Sequence, residues 1–170
     1  MPEAWLRGPI EGVDPLLMPA AHALVQAGEE IERAAAGLSP DQVWASPGGA
    51  ASIGFHLRHV VGSLDRLLTY ARGGSLDAHQ RAFLELETER CDPLVGPDAL
   101  LAGVRRAVQA ALDAYRGTPR EALLEPRTVG RAALPSNVIG LLFHAAEHAQ
   151  RHAGQIVTTA KVVRGTGGGA

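Results

Sequence analysis

The sequence has little of the residues that mark several large classes of protein. It contains one cysteine in 170 residues, Cys91, so no disulfide can form within the chain. We interpret Cys91 as an ordinary, partly buried cysteine and not as a catalytic thiol. Aromatic residues make up only 4% of the chain, which disfavours a β-sheet protein and favours helices of alanine and leucine. The net charge of −2 argues against a broad basic face that binds nucleic acid.

A long hydrophobic run is also missing. No apolar segment approaches the roughly 20 residues that a membrane-spanning helix needs. The first residues have neither the basic nor the apolar region of a signal peptide. Hydrophobic residues still make up 46% of the chain, which is enough for one folded core. We therefore expect a soluble cytoplasmic protein that binds neither membranes nor nucleic acid.

Four long segments show the periodicity of amphipathic helices. The first begins at Asp14-Pro15 or, because of the second proline, only at Pro19, and it ends before Gly37. The other three cover about 52–72, 96–116 and 137–163, with Ser136 as the cap of the last one. Because apolar stripes of this kind are buried only against one another, the pattern predicts an all-α four-helix bundle.

Shorter elements connect these helices. A capping box at Ser39-Pro40-Asp41-Gln42 opens a short turn through Trp44, and a second piece, which is amphipathic, covers about 76–90. The inward-facing residues of this second piece are predicted to be Ala82, Phe83 and Leu86. Residues 124–134 look irregular or like a small hairpin around Gly130.

Histidines on the last helix are the clearest indication of chemistry. His148 and His152 are four residues apart, so their side chains lie on one helix face, one turn apart. Both fall on the apolar, core-facing arc, where buried imidazoles need a partner and a metal ion is a suitable one. His144 lies at the edge of this arc and about 12 Å along the axis from His152. A metal-binding pair is therefore His148 with His152 or His144 with His148, and the inward phase favours the former.

A third ligand is expected from a facing helix. His56 and His59 on the second helix are the candidates, and helical phase alone does not choose between them. His22 and His79 are interpreted as surface or boundary residues. Three histidines without a fourth protein ligand would leave a position for water or substrate, which is typical of catalytic metal sites. The competing interpretation is a bundle whose histidines are satisfied by water and backbone groups.

Two segments carry a resemblance to a known family. Residues 52–60 place a histidine in the second helix, and residues 143–156 contain a His-x-x-x-His pair that leads into Gly-Gln-Ile. In these features, in length and in helix order, the chain resembles the DinB/YfiT-like superfamily. The resemblance covers one helical bundle domain over 5–163, followed by a flexible tail over 164–170.

The resemblance implies a fold, a metal centre and a range of activities. It implies a four-helix bundle with up-down-down-up order, frequent homodimers, and His59, His148 and His152 as ligands of a divalent metal such as nickel or zinc. Relatives include metal-dependent hydrolases and S-transferases that use a low-molecular-weight thiol, so a small electrophilic substrate is expected. The alternative is a non-catalytic, metal-stabilised dimeric protein that acts as a scaffold or in a stress response.

Some residues near the predicted centre have open roles. Gln155 lies one turn beyond the histidine pair and could bond a ligand, or it could be a helix-packing amide. Glu147 and Asp65 could act as acid–base groups, although solvent-facing ion pairs are the better interpretation. The chain departs from common relatives in the alanine that follows His148 and in the additional His144, and neither difference indicates a substrate.

Overall fold

Most of the chain is helical. The computed structural model describes residues 1–89 and 96–166. The elements, in chain order, are α1 (Met18–Ala35), α2 (Pro40–Trp44), α3 (Ile53–Ala71), α4 (Ala78–Leu86), α5 (Pro97–Arg116), β1 (Pro126–Val129), β2 (Leu134–Asn137) and α6 (Val138–Thr166). The predicted all-α class is confirmed, since the sheet consists of two four-residue strands. Cys91 and the predicted end of the 76–90 piece lie outside the described residues.

The directions of the four long helices follow from contacts at their ends. Arg164, near the end of α6, donates to the Ala36 carbonyl just after α1, so α1 and α6 run parallel. Arg116, at the end of α5, donates to the Glu11 carbonyl before α1, so α5 runs the opposite way.

The second pair of helices completes the topology. Val61 in the first half of α3 faces Gly103 in the first half of α5, and Ala71 and Ala114 near their ends line one cavity. α3 and α5 are therefore parallel to each other and antiparallel to α1 and α6. This is the up-down-down-up order that the resemblance implied.

The core lies between the four apolar stripes. The large aliphatic side chains that are almost fully buried include Leu17, Leu24, Ile31, Ile53, Leu57, Leu64, Leu142 and Ile156. Each such side chain contributes about 1.5–3 kcal/mol through the hydrophobic effect. Tyr115 is also buried, and its hydroxyl donates to the Leu142 carbonyl at 2.7 Å, which satisfies the polar end of the ring.

Local chemistry explains where most helices begin and end. α1 starts at Met18 with Pro19 in its first turn, so of the two predicted starts the later one is correct. Gly37 follows the helix with φ +72°, a conformation that glycine adopts without strain. The prediction of Ser136 as the cap of α6 is wrong, because α6 begins at Val138 and the residue directly before it is Asn137. Asn137 has this role, and its Oδ1 accepts from the Gly140 amide at 2.8 Å.

α6 is longer than its sequence pattern indicated. It continues to Thr166, three residues beyond the predicted end, and so includes the first residues of the expected tail. Residues 167–170 lie outside the described part of the chain.

The inward face of α4 differs from the prediction. Phe83 is half-buried, but Ala82 is exposed and Leu86 is 45% exposed. The buried residues on this side are Gln80 and Glu87, at 8% and 2% exposure. The apolar pattern failed because α4 packs on α3 through a polar network, in which Gln80 donates to Asp65 and Thr69 of α3 at 2.8 Å.

The hairpin closes one end of the bundle. β1 and β2 pair antiparallel, with Val129 opposite Leu134 around the turn that begins at Gly130. Arg127 donates from Nε to the Ala71 carbonyl at 2.8 Å, which ties the hairpin to the end of α3. The hairpin alternative for residues 124–134 is therefore the correct one.

Within the described residues, no helix combines the length and the apolar character that crossing a bilayer requires.

Two helical glycines allow a matched test of packing. A Cβ added at Gly54 would lie 2.7 Å from the Trp44 ring of α2, whereas one at Gly103 would lie 3.6 Å from Val61, an ordinary contact. We expect Gly54→Ala to lower the free energy of unfolding by about 1–3 kcal/mol through overpacking. Gly103→Ala should be neutral or raise it by up to about 1 kcal/mol through helix propensity. Urea unfolding measures both, and equal effects would contradict this account of the α2–α3 contact.

Candidate metal centre

Four histidines face one another where α3 packs against α6. His56 and His59 lie about one turn apart on α3, and His148 and His152 lie one turn apart on α6. Because the helices are antiparallel, the first histidine of each pair meets the second of the other. His56 Nδ1 lies 2.9 Å from His152 Nδ1, and His59 Nε2 lies 2.9 Å from His148 Nε2.

Three of these imidazoles converge on one point. A ring nitrogen from each of His59, His148 and His152 lies within 4.8 Å of the other two. The ring centroid of His152 is 4.6 Å from those of His59 and His148. The three histidines are thus positioned to hold a metal ion, and His56 joins the cluster through its hydrogen bond to His152.

The other ring nitrogens have distinct surroundings. His59 Nδ1 lies 2.7 Å from Oε2 of Glu87, and His152 Nδ1 is hydrogen-bonded to His56. His148 Nδ1 is buried, and it has no hydrogen-bond partner among the described residues. For His59 and His152, a partner on Nδ1 leaves Nε2 as the nitrogen available to an ion.

Burial favours the neutral form of three imidazoles in this cluster, those of His56, His148 and His152. It lowers the pKa of His148 to about 4, assisted by the nearby His59, His144 and Arg151. It also lowers the pKa of His152 to about 3, assisted by the neighbouring imidazoles, and lowers the pKa of His56 for the same reasons. Neutral imidazole is the form that binds metal, so these side chains need lose no proton near neutral pH.

The donor set suits a divalent transition metal. Imidazole nitrogen is a common ligand of zinc and nickel. Two nitrogens bound to one zinc ion at 2.0–2.1 Å in tetrahedral geometry are about 3.4 Å apart. The spacings among His59, His148 and His152 bracket this value, at 2.9 Å for the closest pair and up to 4.8 Å within the group. The residues therefore fit such an ion with small side-chain adjustments.

Comparison with known proteins identifies the family. Residues 23–156, which include the four clustered histidines, match the sequence profile of the DinB superfamily. The chain belongs to the DinB superfamily. The resemblance stated from the sequence motifs is thereby confirmed.

A solved structure shares this DinB-like fold. The chain is similar to a conserved protein from Enterococcus faecalis whose crystal structure superposes with a TM-score of 0.71 at 17% sequence identity. The similarity covers 88% of this chain and 97% of that protein, and at this identity it shows the fold alone. No curated protein matches the chain at a significant level.

The additional histidine of this DinB-like chain lies beside His148, with ring centroids 5.3 Å apart, but it is not among the three that converge. The His144 side chain is about half exposed, and its Nδ1 lies 3.1 Å from Glu147. Glu147 also pairs with Arg151, so it belongs to an ion-pair group on the outside of α6. Gln155 is exposed, and a role for it toward a ligand stays a prediction.

The remaining candidate residues also lie outside the cluster. His22 is hydrogen-bonded to the Gly8 carbonyl at 2.9 Å, and His79 is exposed, as a surface or boundary position implies. Asp65 accepts from Gln80, which places it in the contact between α3 and α4.

Sequence reasoning missed Glu87. This residue follows α4, is 2% exposed, and contacts both His59 and Arg66. The available signal was Arg66 itself, because an arginine two turns beyond His59 on the buried side of α3 requires a carboxylate partner. The pattern could not show which acidic residue this would be.

Metal binding can be assigned to individual histidines. We expect the protein to bind one Zn²⁺ or Ni²⁺ per chain. Alanine at His59, His148 or His152 should each weaken binding by more than about 100-fold, beyond the 10–100-fold that typifies loss of a ligand's hydrogen-bond partner. His144→Ala is the matched control on α6 and should change the Kd little. Competition with a chromogenic chelator measures the Kd. Tight binding by all three alanine variants would show that the metal does not bind at this position.

Proposed function

We propose that this chain is a metal-dependent enzyme that acts on a small electrophilic molecule. His59, His148 and His152 would hold a divalent ion, with nickel or zinc as the preferred metals. The reaction would be hydrolysis or the transfer of a low-molecular-weight thiol to the electrophile. Membership of the DinB superfamily supports this range of activities without choosing within it.

One observation carries the proposal. Among the described residues, the set whose ring nitrogens converge on one point contains three histidines, His59, His148 and His152, and no fourth protein ligand. Structural zinc sites use four protein ligands, whereas catalytic sites use three and keep a position for water or substrate. The set of ligands therefore favours catalysis over a purely structural ion.

The chain's own residues prepare the site for this chemistry. A divalent ion held there would supply Lewis acidity, which lowers the pKa of a bound water or thiol. The buried imidazoles offer neutral nitrogen donors at neutral pH. Phe55 stacks on His59 with ring centroids 5.3 Å apart and meets His56 edge-on at 5.2 Å. This ring covers one face of His59 and shields it from water.

Turnover that depends on the metal tests the proposal. The assays are hydrolysis of p-nitrophenyl acetate and the reaction of a small thiol with chlorodinitrobenzene. We expect protein loaded with Zn²⁺ or Ni²⁺ to accelerate at least one of them. His152→Ala should reduce the rate by more than about 100-fold through loss of a ligand, and His144→Ala should retain it. Equal rates with and without metal in both assays would argue against an enzyme of this kind.

A separate measurement tests the alternative of a metal-stabilised scaffold. The bundle buries a continuous apolar core built from residues other than the histidines, so its folding should not require the ion. We expect the metal-free protein to keep its helical circular dichroism and to melt cooperatively. Added metal should raise the Tm only by the amount expected for a ligand that binds the folded state, which depends on the ratio of its concentration to the Kd. Loss of helical structure on treatment with a chelator would instead favour the structural role.

The homodimer implied by the family remains a prediction. Leu84 and Leu86 on α4 are each 45% exposed, and Leu16 before α1 is 51% exposed. Such an apolar excess near the first helix and on the 76–90 piece agrees with an interface between copies of the chain.

A further inference from the structure

Glu87 is a buried carboxylate that reaches the cluster from outside the four long helices. It follows α4 in the connection between α3 and α5, and its side chain is 3% exposed. Burial of an ionised carboxylate is costly unless its oxygens are paired and hydrogen-bonded. Its position beside a candidate metal ligand therefore needs a physical explanation.

Both carboxylate oxygens of Glu87 have a partner on α3. Arg66 donates from a terminal guanidinium nitrogen to Oε1 at 2.5 Å, and His59 Nδ1 lies 2.7 Å from Oε2. Burial acts to raise the pKa of Glu87, but the hydrogen bonds from His59 and Arg66 outweigh it and lower the pKa below its usual range. Paired with the Arg66 guanidinium, Glu87 is held as a carboxylate, which can only accept hydrogen bonds.

The accepting carboxylate determines where His59 carries its proton. A hydrogen bond between two acceptors is not stable, so Nδ1 of His59 must bear the hydrogen. The lone pair of the neutral ring is then on Nε2, the nitrogen 2.9 Å from His148. This is the tautomer that a metal ligand in this position requires.

The backbone of α3 leaves room for this arrangement at one residue. Gly62 lies on the same face, between His59 and Arg66. A Cβ there would overlap Oε1 of Glu87 and lie 2.6 Å from the Arg66 guanidinium and 2.8 Å from Phe83. Any larger residue at this position would displace the carboxylate.

We propose that Glu87 is a positioning residue that holds His59 in the tautomer and orientation needed to bind the ion, and that Arg66 anchors Glu87 for this purpose. The proposal rests on the three-histidine centre of the proposed function and assigns a role to a residue outside it. Carboxylates that accept from a ligand histidine fix its ring and raise its basicity, and their loss typically weakens metal binding by about 10–100-fold.

Glu87→Gln gives a sharp test because an amide cannot replace both contacts. Its single oxygen can accept from Arg66 or from His59 but not from both, and its NH₂ group would face the other donor. We expect the Kd for Zn²⁺ to rise by about 10–100-fold. Glu147→Gln is the matched control, since it removes the same charge from the His144 and Arg151 group and should leave the Kd within about twofold.

The tautomer of His59 provides a second readout that needs neither metal nor activity. Long-range proton–nitrogen NMR of the metal-free wild type should show the hydrogen of His59 on Nδ1, and Glu87→Gln should shift it toward Nε2. This measurement keeps the proposal testable even if the variant is unstable.

The outcomes separate the proposal from the proposed function. An unchanged Kd in Glu87→Gln, or a wild-type His59 with its hydrogen on Nε2, would overturn the role of Glu87. A wild type that binds no Zn²⁺ or Ni²⁺ but shows the Nδ1 hydrogen would instead refute the metal centre, while the hydrogen bond from His59 to Glu87 would stand.

Discussion

The antiparallel contact between α3 and α6 is the constraint on which the site depends. His56 meets His152, and His59 meets His148, because the two helices run in opposite directions in this register. That register is set by the apolar residues around them, such as Leu57, Val60 and Ile156, which are buried in the same interface. The hydrophobic core therefore determines the placement of the imidazoles, and only small adjustments of their side chains remain possible.

Buried polar groups around this contact form a chain of hydrogen bonds. Arg66 donates to Glu87, Glu87 accepts from His59, and His59 faces His148. A second branch links His56 to His152. The paired groups of this network favour one arrangement of the rings, whereas His148 Nδ1 has no partner among the described residues.

Much of the fold could be predicted from the sequence because helical periodicity is a strong local signal. The apolar stripes, Gly37 and the capping box before Trp44 each depend on neighbours within a few residues, and the structure agrees with them. The inward phase of His148 and His152 was predictable for the same reason. Asn137 replaces Ser136 as the cap because α6 begins at Val138, one residue later than its pattern showed, after a hairpin that continues through Asn137.

The parts that could not be predicted depend on contacts between distant residues. His56 lies near the margin of the apolar stripe of α3 and His59 lies further round, and the register against α6 decides which one faces His148. Family resemblance supplied that choice where periodicity did not. Glu87 lies 28 residues from His59 in sequence and on a segment without a strong apolar pattern. Ala82 and Leu86 were expected to face the core because they are apolar. In the structure, Gln80 and Glu87 are the buried residues instead, because they have polar partners on α3.

The route by which Glu87 reaches His59 has an evolutionary consequence. The candidate ligands lie on two helices that carry the core, but the carboxylate that contacts one of them comes from a connecting segment. Connecting segments tolerate insertions and substitutions far better than packed helices do. Evolution can therefore change the hydrogen-bond partner of His59 in this segment while the packing of the long helices stays the same.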